Sequence, residues 1–503
     1  MIKTKINFKK IKLLHFSLDS RISSLVLWIF FSCFILFFKI LFHELWKDEW
    51  QSWLVARDMP VMEMFGFLYY EGHPALWYLY LKLFAGFKQL FGIDSDSILI
   101  IAAHMLLVTI TYYILFTKLR MPQWLKLLVG FTYFIFFEYA VVNRGYILII
   151  LFEFLILTNL ESKQTRLWLL PLLIFLMCQT EVYGVIVAGS IVFYVFYQNN
   201  AFKFRSLKQE YFYTLLTSFL VGAILFTLSV FPRGHSDELA HAYNPTKQSI
   251  PTSAGKAFVG MLANTFYIGS LDDVNVTGVT SGGILISVLC LILLSLLFFR
   301  QKSLFVTYLF FLLSFFLFSS IFYSGGIRQW GIGFVFFIFC LELLFFNRKA
   351  MNWFRAAIIL PILFFQMRYS YLAFLKDYNN PFSNAKEAAE FLDQNVPDGA
   401  VILAINEFQC TPVVGYLNSK VYSLPDGESF TYFRWLEKIY IPTEEEISLF
   451  AKYMNRSGLI VLSSKPLSST DYPRLDLWKK FDHYNLKKEN YWLYLFVSDK
   501  SAV

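Results

Sequence analysis

The feature that most constrains this chain is a repeated run of mostly apolar residues, each about twenty long or slightly less. The first covers 24–42, and others recur near 97–117, 124–140, 146–160, 167–178, 182–198, 211–231 and 352–372, separated by polar turns and loops. In hydrocarbon every backbone N–H and C=O must be satisfied within its own segment, so such runs fold as transmembrane helices. Composition agrees, since 57% of the 503 residues are hydrophobic and only 16% are charged. The net charge of +8 says less than where the charges sit. Lys and Arg lie in short separate loops rather than on one continuous face, which argues against a nucleic-acid surface.

The N-terminus "MIKTKINFKKIKLLHFSLDSR" is basic, and residues 1–23 read as a cytoplasmic segment. The apolar run behind it ends in "LFHELW" without a small-residue cleavage site, so it reads as a retained span. Cys33, Cys178, Cys290 and Cys340 fall in apolar segments and Cys410 stands alone, so neither a disulfide framework nor a zinc pattern follows.

One stretch decides the topology. "PALWYLYLKLFAGFKQLFG" is long enough to cross, but Lys82, Lys88 and Gln89 interrupt it. If it lies flat in the interface, the basic loops "TKLRMPQWLK", "ESKQTR", "FKFRSLKQE", "FFRQKS" and "NRKAMNWFR" all fall on the inner side. The expected architecture is then a polytopic helical domain, 24–378, with about eleven spans. Its first outer loop is 43–96 and its long outer loop 232–278. From about 379 the pattern changes. "PFSNAKEAAEFLDQNV" and "TEEEISLFAKYM" read as helices, and "AVILAINEF", "GLIVLSS" and "YWLYLFVSD" as strands. A small extracytoplasmic α/β domain over 379–503 is expected, without a glycine-rich phosphate loop.

The outer face gathers "ELWKDEW", "YYEGHPALW", "VVNRGY", "TEVYG" and "GGIRQWG". A carboxylate at the membrane surface can serve as a general base. Arginines at the mouths of spans match phosphate oxygens and stay charged in a partly dry site. The Asp48–Glu49 pair after one span, "YYEGHP" at Tyr69–Pro74 and "YAVVNRGY" at Tyr139–Tyr146 resemble the GT-C glycosyltransferases that use polyprenyl-phosphate sugars. The nearest members by pattern are the protein O-mannosyltransferases, the lipid A aminoarabinose transferases and the RgtA/B/C/D-like enzymes.

The resemblance implies a GT-C-like fold and transfer of a sugar from a polyprenyl-phosphate carrier to a cell-envelope glycan, glycolipid or protein. It places the catalytic base on Asp48, beside Glu49, and a second acidic position on Glu71. Where a third acidic position is expected the chain has Asn143, while Arg144 and Tyr146 resemble the "R-x-Y" of the RgtA-like members. Arg328 and Arg144 are the candidates for holding phosphate, with His73 and Glu181 as further substrate-site residues. A lipid-linked donor fits a bacterial inner (plasma) membrane.

Each signal also has a plainer reading. Asp48 and Glu49 can be solvated charges beside a belt of Trp46, Trp50 and Trp53. Glu71 can be a helix-start charge, and Arg328 can snorkel. His104 and Glu153 lie inside spans, where ionisable groups are functional candidates by default. His235, Asp237, Glu238 and His241 supply metal-type ligands that Glu71 could join, but in no recognised spacing, so the cofactor stays open between none and a divalent cation. The competing functions are a flippase or transporter of lipid-linked substrate and a non-catalytic envelope-assembly component. Against transport, ionisable residues crowd the rim and no internal repeat is visible. The topology predicts that a cysteine introduced as Asp48→Cys is labelled by membrane-impermeant reagent from outside intact cells; labelling only after the membrane is opened would overturn it.

Overall fold

The computed structural model describes residues 20–160, 168–198, 209–230, 250–267, 279–346, 351–424, 426–434, 440–454 and 458–497. Helix α1 (Ser20–Leu41) carries Lys39 in its last turn and leads into α2 (Lys47–Asp58). Two acidic residues, Asp48 and Glu49, open α2 and Arg57 closes it, the arrangement that suits the helix dipole. The Glu49 carboxylate also accepts from the Trp46 backbone N–H, tying the first turn to its own cap. Helix α3 (Val61–Glu71) ends on Gly72, whose φ of 70° is in the left-handed region that terminates helices.

The ambiguous stretch forms helix α4 (Leu76–Phe91). It buries Trp77, Tyr78, Leu81 and Ala85 on one side and exposes Leu83, Leu90 and Phe91 on the other. Lys82 caps α2, its ammonium donating to the carbonyls of Ala56 at 2.9 Å and Met59 at 2.6 Å. With 16 residues, α4 is not among the helices long and apolar enough to cross a membrane.

Among the described residues seven helices meet that standard. They are α1, α5 (Asp96–Thr117), Gln209–Val230, Ser281–Phe298, Lys302–Ile321, Ile327–Phe346 and Trp353–Asn379. Ile147–Leu160, Leu169–Cys178 and Val182–Gln198 are shorter and apolar. The expected span at 124–140 is not one helix. Gln123–Gly130 stops where Thr132 turns extended, and the chain resumes as a π-helical turn, Tyr133–Glu138. Two further expectations change. Part of the 232–278 connection is the helix Ile250–Val259, followed by a π turn, Gly260–Asn264, whose residues are all buried, while 232–249 and 268–278 lie outside the described residues. The last span runs on to Asn379.

The helix Ile327–Phe346 lies buried at the centre. Lipid tails are as apolar as side chains, so close packing rather than water exclusion holds the bundle. Glycines allow it: a Cβ at Gly331 would overlap Phe134 and Tyr139, and one at Gly260 would overlap Trp330.

The C-terminal region is a six-stranded sheet of order β3-β2-β1-β4-β6-β5. Its strands are β1 (Val401–Ile405), β2 (Val421–Tyr422), β3 (Ser429–Phe430), β4 (Leu459–Ser463), β5 (Leu475–Phe481) and β6 (Tyr491–Phe496). The central pair β1 and β4 is parallel and buried throughout because both sheet faces are covered. Ala385–Asn395 and Glu407–Tyr416 pack on one face and Glu444–Met454 on the other. The expected strand over "AVILAINEF" is shorter than read. Asn406 adopts φ 69° and its side chain caps Glu407–Tyr416, so the last two residues of that stretch are helical.

This region sits directly on α2. Tyr416 exchanges hydrogen bonds with the backbone of Leu45, and a Cβ at Gly415 would overlap the Trp50 ring. Gly415→Val is therefore expected to destabilise by about 1–3 kcal/mol through overpacking, seen as a lower unfolding temperature of the purified full chain. Gly458→Ala, whose Cβ meets only an ordinary 3.8 Å contact, should leave it unchanged.

Candidate functional site

Between α1 and α2 the chain builds a buried ionic clamp. Glu49 is 1% exposed, and its Oε1 accepts from the backbone N–H and the side-chain amide of Asn143, at 2.5 and 2.6 Å. Its Oε2 takes the Trp46 N–H at 3.1 Å. His43 stands between two carboxylates, with Nδ1 2.8 Å from Asp377 and Nε2 3.4 Å from Glu49. Below them the Lys39 ammonium donates to Asn143 Oδ1 at 2.6 Å and His104 Nδ1 at 2.8 Å. Burial pushes the Glu49 carboxyl up, but His43 and the amide donors outweigh it and hold it at about 2. Burial likewise opposes the charged form of His43, yet Asp377 and Glu49 raise it to about 9.

Glu49 being fixed, its neighbour Asp48 is presented on the other side of the first turn. The Asp48 side chain is 31% exposed, with Oδ2 at 3.6 Å from Arg144 Nη1 and 3.9 Å from Arg328 Nη1. Burial raises its carboxyl, but Arg144, Lys47, Arg328 and Lys487 outweigh this and lower it below the ordinary aspartate value, so it is ionised at neutral pH.

Three of the sequence candidates, Arg144, His73 and Glu181, form one chain behind Asp48. Arg144 donates to the Asp48 carbonyl at 3.1 Å and faces His73 Nε2 at 3.3 Å. A guanidinium only donates, so His73 Nε2 is the acceptor and its Nδ1–H faces Glu181, 2.8 Å away. Tyr146 is buried and accepts from Gln329 at 3.1 Å. Glu71 accepts from Gln51 at 2.8 Å and Tyr78 at 3.4 Å, and Gln51 in turn grips the Phe433 backbone. It braces the first connection against the C-terminal sheet region.

Asp48 and Arg328 open onto a cavity of about 290 Å³. Its walls include Trp46, Glu138, Gly325, Gly326, Lys376, Tyr484 and Lys487. Gly325, at φ 72°, turns the chain so that the first turn of Ile327–Phe346 edges the cavity, bringing a positive helix end to the space. Arg328 is aimed by Glu138, 2.7 Å from its Nε, and Glu138 is held by Tyr133 at 2.7 Å. The π turn supplies that carboxylate.

Sequence reasoning missed His43, Lys39, Asn143 as a clamp, Glu138 and Lys487. Only Lys39 carried a signal, a lysine inside an apolar run. It is also the partner of His104; Glu153 is buried with no hydrogen-bond partner for either oxygen among the described residues. His235 and His241 lie outside the described residues, as do Asp237 and Glu238, and among the described residues no group of three or more His, Cys, Asp or Glu could hold a metal ion.

The clamp has a pH signature. A histidine raised from 6.5 to about 9 contributes stability that is complete below 6.5 and lost as pH climbs through 9. The apparent unfolding temperature of the detergent-solubilised chain should fall over that window, and His43→Gln should lower it at neutral pH and flatten the alkaline decline. An unchanged slope would remove His43 from the clamp.

No protein-family model matches the sequence, and no curated protein matches it either. Among solved structures it is similar to ArnT from Cupriavidus metallidurans bound to undecaprenyl phosphate, with 11% identity and a TM-score of 0.56. The match covers 95% of this chain and 98% of that one. At that identity the likeness is one of architecture, and it extends from the helical bundle through the C-terminal sheet region. The chain has a GT-C-like membrane fold.

Proposed function

We propose that this protein is an integral-membrane glycosyltransferase that takes a sugar from a polyprenyl-phosphate carrier. The acceptor is a cell-envelope glycan, glycolipid or protein on the extracytoplasmic face of a bacterial inner membrane. The observation that carries this reading is the Asp48 carboxylate, ionised and partly exposed at a cavity that it shares with Arg328, with Arg144 against its other side. The fold supports it, since ArnT was crystallised with a polyprenyl phosphate.

In the proposed reaction Asp48 accepts the proton of the acceptor hydroxyl as that oxygen attacks the anomeric carbon. The bond between the anomeric carbon and the phosphate oxygen breaks, and its electron pair leaves with the lipid phosphate. Arg328, with Arg144 as its neighbour, stabilises the charge gathered on that phosphate. A single displacement inverts the anomeric carbon. Glu49, with both oxygens engaged, positions Asp48 rather than touching substrate, while His73, Glu181 and Tyr146 fix Arg144 and the helix that carries Arg328.

Asp48→Asn is nearly isosteric but cannot take up the proton. It should cut sugar transfer by roughly a hundred- to ten-thousandfold while the purified protein keeps its unfolding temperature. Mass spectrometry of membrane lipids would show the donor accumulating. A variant with near-normal turnover of carrier and glycan would favour transport or a non-catalytic assembly role.

A further inference from the structure

The cavity has a wall that the catalytic reading does not use. The loop between β5 and β6 brings Tyr484, Leu486 and Lys487 into it from the C-terminal sheet region, more than four hundred residues along the chain from Asp48. That loop is tightly built. Leu486 and Lys487 donate backbone N–H groups to Pro381 and Phe382, each at 3.1 Å. Asn384 donates to the carbonyls of Phe481 and His483 and to Asn490, while Asn485 holds Glu489 and Asn490. Glu489 reaches back to the Lys47 N–H at 3.3 Å.

Lys488 adopts φ 57°, a left-handed conformation unusual for a side chain with a Cβ, directly after Lys487. Strain of this kind persists where surrounding contacts impose it, and it gathers at functional sites. Here it turns the chain just past the lysine that lines the cavity.

The Lys487 ammonium lies 4.2 Å from the Trp46 ring centroid and 4.9 Å from that of Phe382. Arg328 approaches the same Trp46 ring at 5.4 Å. Two cations thus share one indole, and among the described residues no acceptor is recorded within hydrogen-bond distance of the Lys487 ammonium. Glu138 is already engaged by Arg328 and Tyr133, and Asp48 lies nearest the two arginines. Burial and Arg328 depress Lys487 below the ordinary lysine range, against the opposing pull of Glu138, Asp48 and Glu489.

We propose that Lys487 is a phosphate-binding residue supplied by the C-terminal region, which with Arg328 clamps the phosphate of the polyprenyl-phosphate donor across Trp46. This rests on the carrier reading given above and adds to it that the C-terminal region is part of the binding site.

The test uses the purified full-length chain and native mass spectrometry with two probes, undecaprenyl phosphate and undecaprenol, which differ only in the phosphate. Wild type should retain the phosphate over the alcohol. Lys487→Met should weaken that preference about ten- to hundredfold, the worth of a charged hydrogen bond, and Lys487→Arg should restore most of it. Lys452→Met, an exposed lysine of the same region, should change nothing. If wild type fails to distinguish the probes, the carrier reading itself falls. If wild type distinguishes them and Lys487→Met does so equally, only the Lys487 assignment falls. Loss of fold in both Lys487→Met and Lys487→Gln would also overturn it, because a residue whose ammonium faces a ligand space is not required for packing.

Discussion

The site depends on one buried carboxylate. Glu49 is locked by His43, Asn143 and the Trp46 backbone, and through these it joins α1, α2, the turn before Ile147–Leu160 and the end of Trp353–Asn379. A charge buried this deeply costs several kcal/mol unless its lone pairs are filled. The clamp fills them, so that three regions distant in sequence, 43–49, the turn at Asn143 and the helix end at Asp377, are held in one register. Asp48, one residue earlier, inherits its position from that lock.

Around this fixed point the positive charges are graded. Arg144 is bound at its back by His73 and Glu181, and Arg328 by Glu138, so each guanidinium loses little freedom when it meets an anion. The supporting carboxylates also prevent the arginines from simply repelling one another. The result is a cavity lined by Arg328, Lys376 and Lys487, the electrostatic setting that the proposed binding of a lipid phosphate requires.

The C-terminal region is not an appendage. It contacts α2 through Trp50 and Gln51, and its β5–β6 loop closes one side of the cavity. Glu71 belongs to this contact, since it holds the Gln51 amide that reaches the Phe433 carbonyl.

The sequence by itself determined the membrane class, the positions of most spans and the identity of the Asp48, Arg144 and Arg328 constellation. Apolar run length and charges at run ends are local quantities fixed by the thickness of hydrocarbon and the cost of burying charge. The same locality misled it at 124–140, where apolar composition concealed a helix that breaks into a π turn to deliver Glu138. Only the tertiary structure decided that His43 meets Asp377, that Asn143 replaces an expected carboxylate with an amide holding Glu49, and that Lys487 stands beside Arg328. These pairings join residues up to several hundred positions apart, and no periodicity along the chain records which helix end will face which loop once the bundle has packed.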